Sequence, residues 1–241
     1  MQRQGDYRPR DRAIHPAAWF PDYKTTVTRA PRLPLLAMPP TLGETTGPLF
    51  GPDRIGPQDN DLLLNGRVDG DPIGERILVH GRVLDEEARP VPGVLIELWQ
   101  ANAAGRYRHV NDRFKAPLDP NFTGLGRTLS DAQGRFRFRT VKPGPYPWRN
   151  RVNDWRPAHI HLSIFGRAFL QRLVTQLYFE GDPWLRHCPI FGAVADAEAR
   201  ERLVARLDLD ETVPFDLVAW RFDIVLRGRR QTPFESTPPG R

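Results

Sequence analysis

The sequence predicts a mostly β fold, a β-sandwich of antiparallel strands with an extended N-terminal arm and one short peripheral helix. Three observations predict it. The 25 prolines and 20 glycines recur too often along 241 residues to leave room for long helices. Runs of β-branched and aromatic residues of strand length lie between them. A chain of this length buries a full core, and all-β domains of this size commonly form one unit.

From Met1 to about Asp61 the chain is proline-rich and without period, yet it keeps Trp19, Phe20, Tyr23, Leu33, Leu35, Leu36 and Phe50. That is too much apolar surface for a disordered tail, so residues 1–61 read as an ordered arm on their own domain or on a partner chain. The β-sandwich body, residues 62–241, opens with RILVHGRVL (76–84), the turn DEEARPVPG and VLIELWQ (94–100), a hairpin or a sandwich pair. A second such cycle follows in LSDAQGRFRFRTVKPG: Asp131 and Gly134 make the turn, and Phe136 and Phe138 alternate with arginines on a half-buried strand. HIHLSIF (159–165), RLVTQLYF (172–179) and VAWRFDIVL (218–226) are further strands. Residues 196–207, DAEARERLVARL, read as the one helix, with Asp196 as N-cap and Leu203, Val204 and Leu207 on one side.

Lys+Arg 35 against Asp+Glu 29 leaves a net charge of +6, scattered along the chain rather than gathered as nucleic-acid binding requires. The densest run, Arg227-Gly228-Arg229-Arg230, reads as a solvated strand end. A mild arginine excess favours small anionic substrates. The single cysteine, Cys188, excludes an intrachain disulfide and fits a reducing compartment, with the cytoplasm as the expectation. No segment approaches the ~20 apolar residues of a membrane span, and the first residues lack an apolar run of signal-peptide length.

The sharpest chemical signal is His159-Ile160-His161, since residues two apart in a strand project from one face and offer two imidazoles to one ion. The spacing alone is equally that of a hydrogen-bonded pair. Apolar neighbours predict burial, and buried neutral imidazoles need partners, of which a metal is one. One cysteine cannot supply a thiolate cluster. Two tyrosines stand in unusual settings upstream: Tyr107 in ANAAGRYRHVNDR, after a strand, and Tyr146 between Pro145 and Pro147. Each reads equally as a packing residue. Ionising a phenol of pKa about 10 takes a strongly charged cation, and two phenolates would favour Fe(III) over Fe(II) or zinc.

The segments GRYRHVNDRFKAPLDPNF, KPGPYPWRNRVNDWRPAHIHLSIFG and TQLYFEGDP, with the closing RFDIVLRGRRQTPFE, resemble the intradiol ring-cleavage dioxygenases, in their protocatechuate-cleaving branch of paired α and β chains. The resemblance runs from about Tyr23 to the RFDIVLRG strand. It implies a non-haem Fe(III) held by Tyr107, Tyr146, His159 and His161 with a solvent hydroxide, Tyr146 and His159 being axial. It implies further that Tyr146 and the hydroxide leave when substrate chelates the iron, that the metal acts as Lewis acid and template for O2 attack on protocatechuate, and that an α subunit completes a hetero-oligomer. In the same resemblance Arg156 and Gln176 lie over the substrate, one stabilising negative charge and the other orienting oxygen. Trp148 and Ile190 match pocket walls, and Tyr23 a position near the substrate carboxylate. His109 competes with Tyr107's neighbourhood on spacing but has no ligand role in the family. His15, His80 and His187 read as ordinary polar residues. Two other readings are a sister enzyme for catechol or hydroxyquinol and a non-enzymatic transthyretin-like module, which leaves the ligand candidates unexplained.

Overall fold

The computed structural model describes residues 14–30, 55–150, 154–165 and 172–235. Its strands are β1 (Arg76–Leu84), β2 (Leu95–Gln100), β3 (Leu125–Leu129), β4 (Arg135–Val141), β5 (Tyr146–Pro147), β6 (Trp155–Arg156), β7 (His159–Phe165), β8 (Arg172–Phe179), β9 (Val204–Val213), β10 (Leu217–Arg221) and β11 (Ile224–Val225). Nine of them form one mixed sheet that folds over as a sandwich, and β5 and β6 form a separate ribbon. One layer carries β4, β1 and β10; the other carries β3, β2, β7 and β8. β9 joins them: Val204 and Ala205 pair in parallel with β8, and the strand continues antiparallel to β10. The pairings of β1 with β10 and β11 are also parallel, so the expected sandwich is present with mixed strand direction.

The core lies between the layers. Ile77 and Val79 of β1, Phe136 and Phe138 of β4, and Ile160, Leu162 and Ile164 of β7 meet there, all buried. Alternation explains it, because every second residue of a strand faces inward, and Phe136 and Phe138 alternate with exposed arginines as expected. Each such side chain stabilises the fold by about 1.5–3 kcal/mol relative to exposure. With Ile160 and Leu162 committed to this core, His159 and His161 are forced onto the opposite face of β7.

β1 and β2 do not pair as a hairpin. The turn between them crosses between the layers, shaped by the Asp85 carboxylate, which accepts from the backbone N–H groups of Glu87 and Arg89. The stretch 218–226 is also divided: at Phe222–Asp223 the Asp223 carboxylate accepts from the Arg82 N–H at 2.9 Å, and β11 pairs with β1 beyond it.

The helix expected over 196–207 is shorter than its periodicity suggests. Asp196 does cap it, accepting from the Ala199 N–H at 3.1 Å, but the helix, Ala197–Glu201, ends before the apolar residues that defined its face. From Val204 the chain is strand, and Leu207 is 45% exposed. Two sheet edges offer Val204–Leu207 a full set of backbone partners, and that tertiary pairing outweighs a weak helical pattern.

Residues 14–30 of the arm pack on the body. The Ala17 N–H donates to the Ala193 carbonyl at 3.0 Å, and Ile14 joins Tyr178, Cys188, Ile190 and Val194 in a second apolar cluster. A helical turn, Lys24–Arg29, follows Tyr23. Leu33, Leu35, Leu36 and Phe50 lie outside the described residues. Arg227, in the basic run, is paired with Glu86 at 2.7 Å, which suits the solvated strand-end reading. Among the described residues no helix is long and apolar enough to cross a membrane.

Candidate metal centre

β7 places His159 and His161 side by side, ring centroids 4.9 Å apart. Its register with β8 sets Tyr178 opposite His159 and Gln176 opposite His161, and its register with β2 sets Trp99 opposite His161. The Trp99 ring lies flat on His161, 4.9 Å between centroids and 5° between planes.

Both tyrosines are brought to this face by loops. The ribbon of β5 and β6 pairs Tyr146 with Arg156 directly, and the Tyr146 hydroxyl stands 3.3 Å from His159 Nε2. Tyr107 follows a turn in which the buried Asn102 carboxamide oxygen accepts from the Ala104 and Arg106 N–H groups. Its own N–H donates to Asp112 at 2.8 Å. The Tyr107 ring meets Tyr146 edge-on at 5.3 Å and lies 6.3 Å from His161. Two aromatic hydroxyls and two imidazoles thus face one another from three separate parts of the chain.

Gly105 lets the two loops touch. It has φ +78°, and a Cβ there would lie 2.2 Å from the Pro145 carbonyl oxygen. Gly105→Ala is therefore expected to destabilise the protein by at least about 1–3 kcal/mol from backbone strain alone. That lowers the melting midpoint by roughly 2–4 °C per kcal/mol in a chain of this size. An unchanged melting curve would mean that the loops do not press on each other.

The hydrogen bonds leave one nitrogen of each histidine as a lone-pair donor. His159 Nδ1 lies 2.8 Å from the Pro157 carbonyl, an acceptor that requires the proton on Nδ1 and makes Nε2 a lone-pair donor, met in this structure by the Tyr146 hydroxyl at 3.3 Å. His161 Nδ1 lies 2.8 Å from Glu235 Oε2, with the same consequence for its tautomer. Burial, with Arg156 and His161 adding to it, holds His159 well below the usual imidazole range, so its ring is neutral and a competent donor. The phenols are shifted the other way. Burial, reinforced by Tyr146, pushes Tyr107 well up, and burial also raises Tyr146 against the pull of Arg156. The Tyr107 hydroxyl is enclosed and, among the described residues, has no partner in hydrogen-bonding geometry. An enclosed hydroxyl with nothing to bond costs about 1–3 kcal/mol, and a cation beside it would remove that cost. Among the described residues no group of three or more His, Cys, Asp and Glu side chains is placed to hold an ion, so an ion here draws on the phenols.

Next to the ring cluster is a buried cation. Arg156 donates to Gln176 Oε1 and, at 3.3 Å, to Tyr178 Oη, while Tyr178 donates to the same Gln176 oxygen at 2.7 Å. Burial opposes its charge, but the phenols and thiol around it, Tyr178 and Cys188 foremost, outweigh burial and hold its pKa above the ordinary value. Its enclosed Nε–H has no partner among the described residues, leaving a donor for an anion. The guanidinium also lies over the Trp148 ring, 5.2 Å from the centroid. Trp148 packs against Tyr23 at 5.4 Å, and both border the cluster that contains Ile190.

Residues 45–228 match the family described as Dioxygenase, and residues 8–41 match the family described as Protocatechuate 3,4-dioxygenase beta subunit N terminal. The chain belongs to the intradiol dioxygenase family. It is 52% identical over 94% of its length to 96% of a protocatechuate 3,4-dioxygenase beta chain from Burkholderia cepacia. It is 31% identical over 84% of its length to 98% of an alpha chain from Pseudomonas putida. The crystal structure of 3-chlorocatechol 1,2-dioxygenase from Rhodococcus opacus 1CP superposes with a TM-score of 0.53 at 28% identity, covering 74% of this chain and 69% of that one.

Intradiol dioxygenases use non-haem Fe(III), and the donor set here suits it: two hard phenol oxygens and two imidazoles whose Nδ1 atoms are each engaged by an acceptor. The structure brings Tyr107, Tyr146, His159, His161, Arg156 and Gln176 into one site, with Tyr23, Trp148 and Ile190 along the adjoining apolar wall. His109 is exposed and accepts from the Asn111 N–H. Trp99, Tyr178 and Glu235 are additions that sequence reasoning missed. Tyr178 follows Gln176 at the same two-residue spacing as the histidines on the neighbouring strand, a signal that was open to reading. Glu235 lies 74 residues from its partner His161, and nothing local announces it.

Proposed function

We propose that this chain is the iron-bearing β subunit of a protocatechuate 3,4-dioxygenase. It would open protocatechuate with O2 between the two hydroxylated carbons, giving 3-carboxy-cis,cis-muconate. The observation that carries the reading is the convergence of Tyr107, Tyr146, His159 and His161, with both Nδ1 atoms already committed and the Tyr107 hydroxyl unpaired among the described residues. Those four residues would hold Fe(III). When bound, the ion supplies Lewis acidity and a template for the catechol oxygens.

The chain's own groups do the rest. Tyr146, 3.3 Å from His159 and attached to the ribbon, would hold the ion through its phenol oxygen and is placed to take a substrate hydroxyl proton at that same atom. Arg156 directs a fixed, dehydrated positive charge at electron density building on the ring, where low dielectric makes it count. Gln176 is held by Arg156 and Tyr178 and orients oxygen. Tyr23, Trp148 and Ile190 form the apolar wall that orients the ring and excludes water. In this reading residues 62–241 are the catalytic domain and residues 1–61 the arm. The match of residues 8–41 to a β-subunit N-terminal family supports pairing with an α chain.

The protein co-expressed with its α chain and loaded with iron is expected to be red-brown from phenolate-to-iron charge transfer. Its visible band should shift on adding protocatechuate, with one O2 consumed per ring opened and far less turnover of catechol. Iron-loaded complex that is colourless and leaves protocatechuate intact would overturn the reading. Faster turnover of catechol or hydroxyquinol would transfer it to a sister enzyme.

A further inference from the structure

We infer that Glu235 is a positioning residue that sets the iron ligand His161 and the oxygen-orienting Gln176 with one carboxylate oxygen. The inference rests on the proposed reading of the site and deepens it. Glu235 Oε2 lies 2.8 Å from His161 Nδ1 and 3.2 Å from Gln176 Nε2. The donors dictate this arrangement. Gln176 Oε1 already accepts from Arg156 and from Tyr178, so its NH2 must turn to an acceptor, and Glu235 supplies one. The same oxygen takes the Nδ1 proton of His161, which fixes the tautomer and ring plane and presents Nε2 to the metal side.

The backbone that carries Glu235 is anchored to hold a carboxylate in place. Its N–H donates to the Val174 carbonyl at 2.9 Å, and the Pro233 carbonyl accepts from the fully buried Thr175 hydroxyl at 2.6 Å. Thr232, also fully buried, donates its N–H to the Val225 carbonyl. Phe234 packs edge-on against His15 of the arm, 5.1 Å between centroids. The segment is thus tied to β8, to β11 and to the arm. Trp99 stacked on the other side of His161 leaves the imidazole little freedom once its Nδ1 proton is held.

A carboxylate accepting an imidazole proton makes the opposite nitrogen a stronger donor, and removing such a partner typically costs 10- to 100-fold in metal affinity or activity. The test uses the complete α–β complex with Glu235→Ala and Glu235→Gln. Iron release to a chelator is expected to be about 10- to 100-fold faster in E235A, the phenolate-to-iron band displaced, and kcat lowered more than KM is raised. E235Q keeps an acceptor oxygen without the charge and should fall between E235A and the unaltered protein on all three readouts. Circular dichroism and melting of the complexes separate these effects from misfolding; if E235A does not fold, the isosteric E235Q decides. A folded variant that releases iron at the unaltered rate with the band in place would overturn the inference. Absence of iron, colour and ring opening in the unaltered complex would instead overturn the reading of the site itself.

Discussion

Tyr107→Phe is expected to lower kcat/KM for ring opening by roughly 10³-fold or more, which corresponds to about 4 kcal/mol of transition-state stabilisation. It should also have opposite effects on stability with and without iron. The lost atom is an enclosed hydroxyl that, among the described residues, has no partner in hydrogen-bonding geometry. An unsatisfied buried hydroxyl costs about 1–3 kcal/mol, so the iron-free variant should melt at or above the unaltered protein. In the iron-loaded state proposed above the same oxygen would be one of four protein donors, and its loss should lower the melting midpoint and bleach the visible band. Calorimetry of both proteins, with and without iron, reads the change of sign. If the iron-free variant is clearly less stable, the hydroxyl is not orphaned; if the iron-loaded spectra coincide, Tyr107 is not a ligand.

The second large effect is expected at Arg156. Arg156→Met removes a buried guanidinium whose Nε–H is unpaired among the described residues and whose other end holds Gln176 and Tyr178. Taking away one preorganised electrostatic group of this kind costs about 10²- to 10³-fold in kcat. Iron should stay bound, because Tyr146 is paired with residue 156 through backbone that the substitution leaves in place, and the guanidinium donates to Gln176 and Tyr178 instead. The loss then appears in turnover at full iron occupancy, which sets it apart from Tyr107→Phe. Arg156→Lys should recover little, since an ammonium is a point charge and cannot reach Gln176 and Tyr178 in the geometry of the planar fork. Turnover within threefold of the unaltered complex at equal iron content would remove Arg156 from the mechanism.

Strand positions were read well where alternation was strong. β1, β7 and β8 begin and end where apolar periodicity and turn residues place them. The errors fell where neighbouring strands decided. Residues 204–207 carry a helical spacing of leucines and valine, but the open edges of β8 and β10 take them into a strand. Nothing within the segment itself contains that information. For the same reason the 85–93 turn fits a hairpin and a sandwich pair alike, and it is the pairing of β1 with β4, β10 and β11 that makes it a crossing between the layers.

For the site, the division follows the distance over which each residue acts. His159 and His161 share a face because a strand repeats every two residues, and the buried Ile160 between them shows which face. Proline on both sides of Tyr146 and glycine before Tyr107 mark stiff or tight loops, and their motif led to the family. That two tyrosines on different loops meet the histidines depends on a backbone approach at Gly105 that a linear pattern does not encode.

The amino-acid sequence alone therefore determined the strands and the two imidazoles on one face, which are local properties of spacing and residue type, while the kind of chemistry and the phenols that accompany them were legible through the resemblance of its motifs to a family. Only the tertiary structure decided which nitrogen of each histidine faces the tyrosines, that Tyr107's oxygen lacks a hydrogen-bond partner among the described residues, and that Glu235 and Tyr178 belong to the site. The physical reason is that a hydrogen-bond partner is chosen by distance in space, and strand register between β2, β7 and β8, together with the anchored return of residues 231–235, sets those distances.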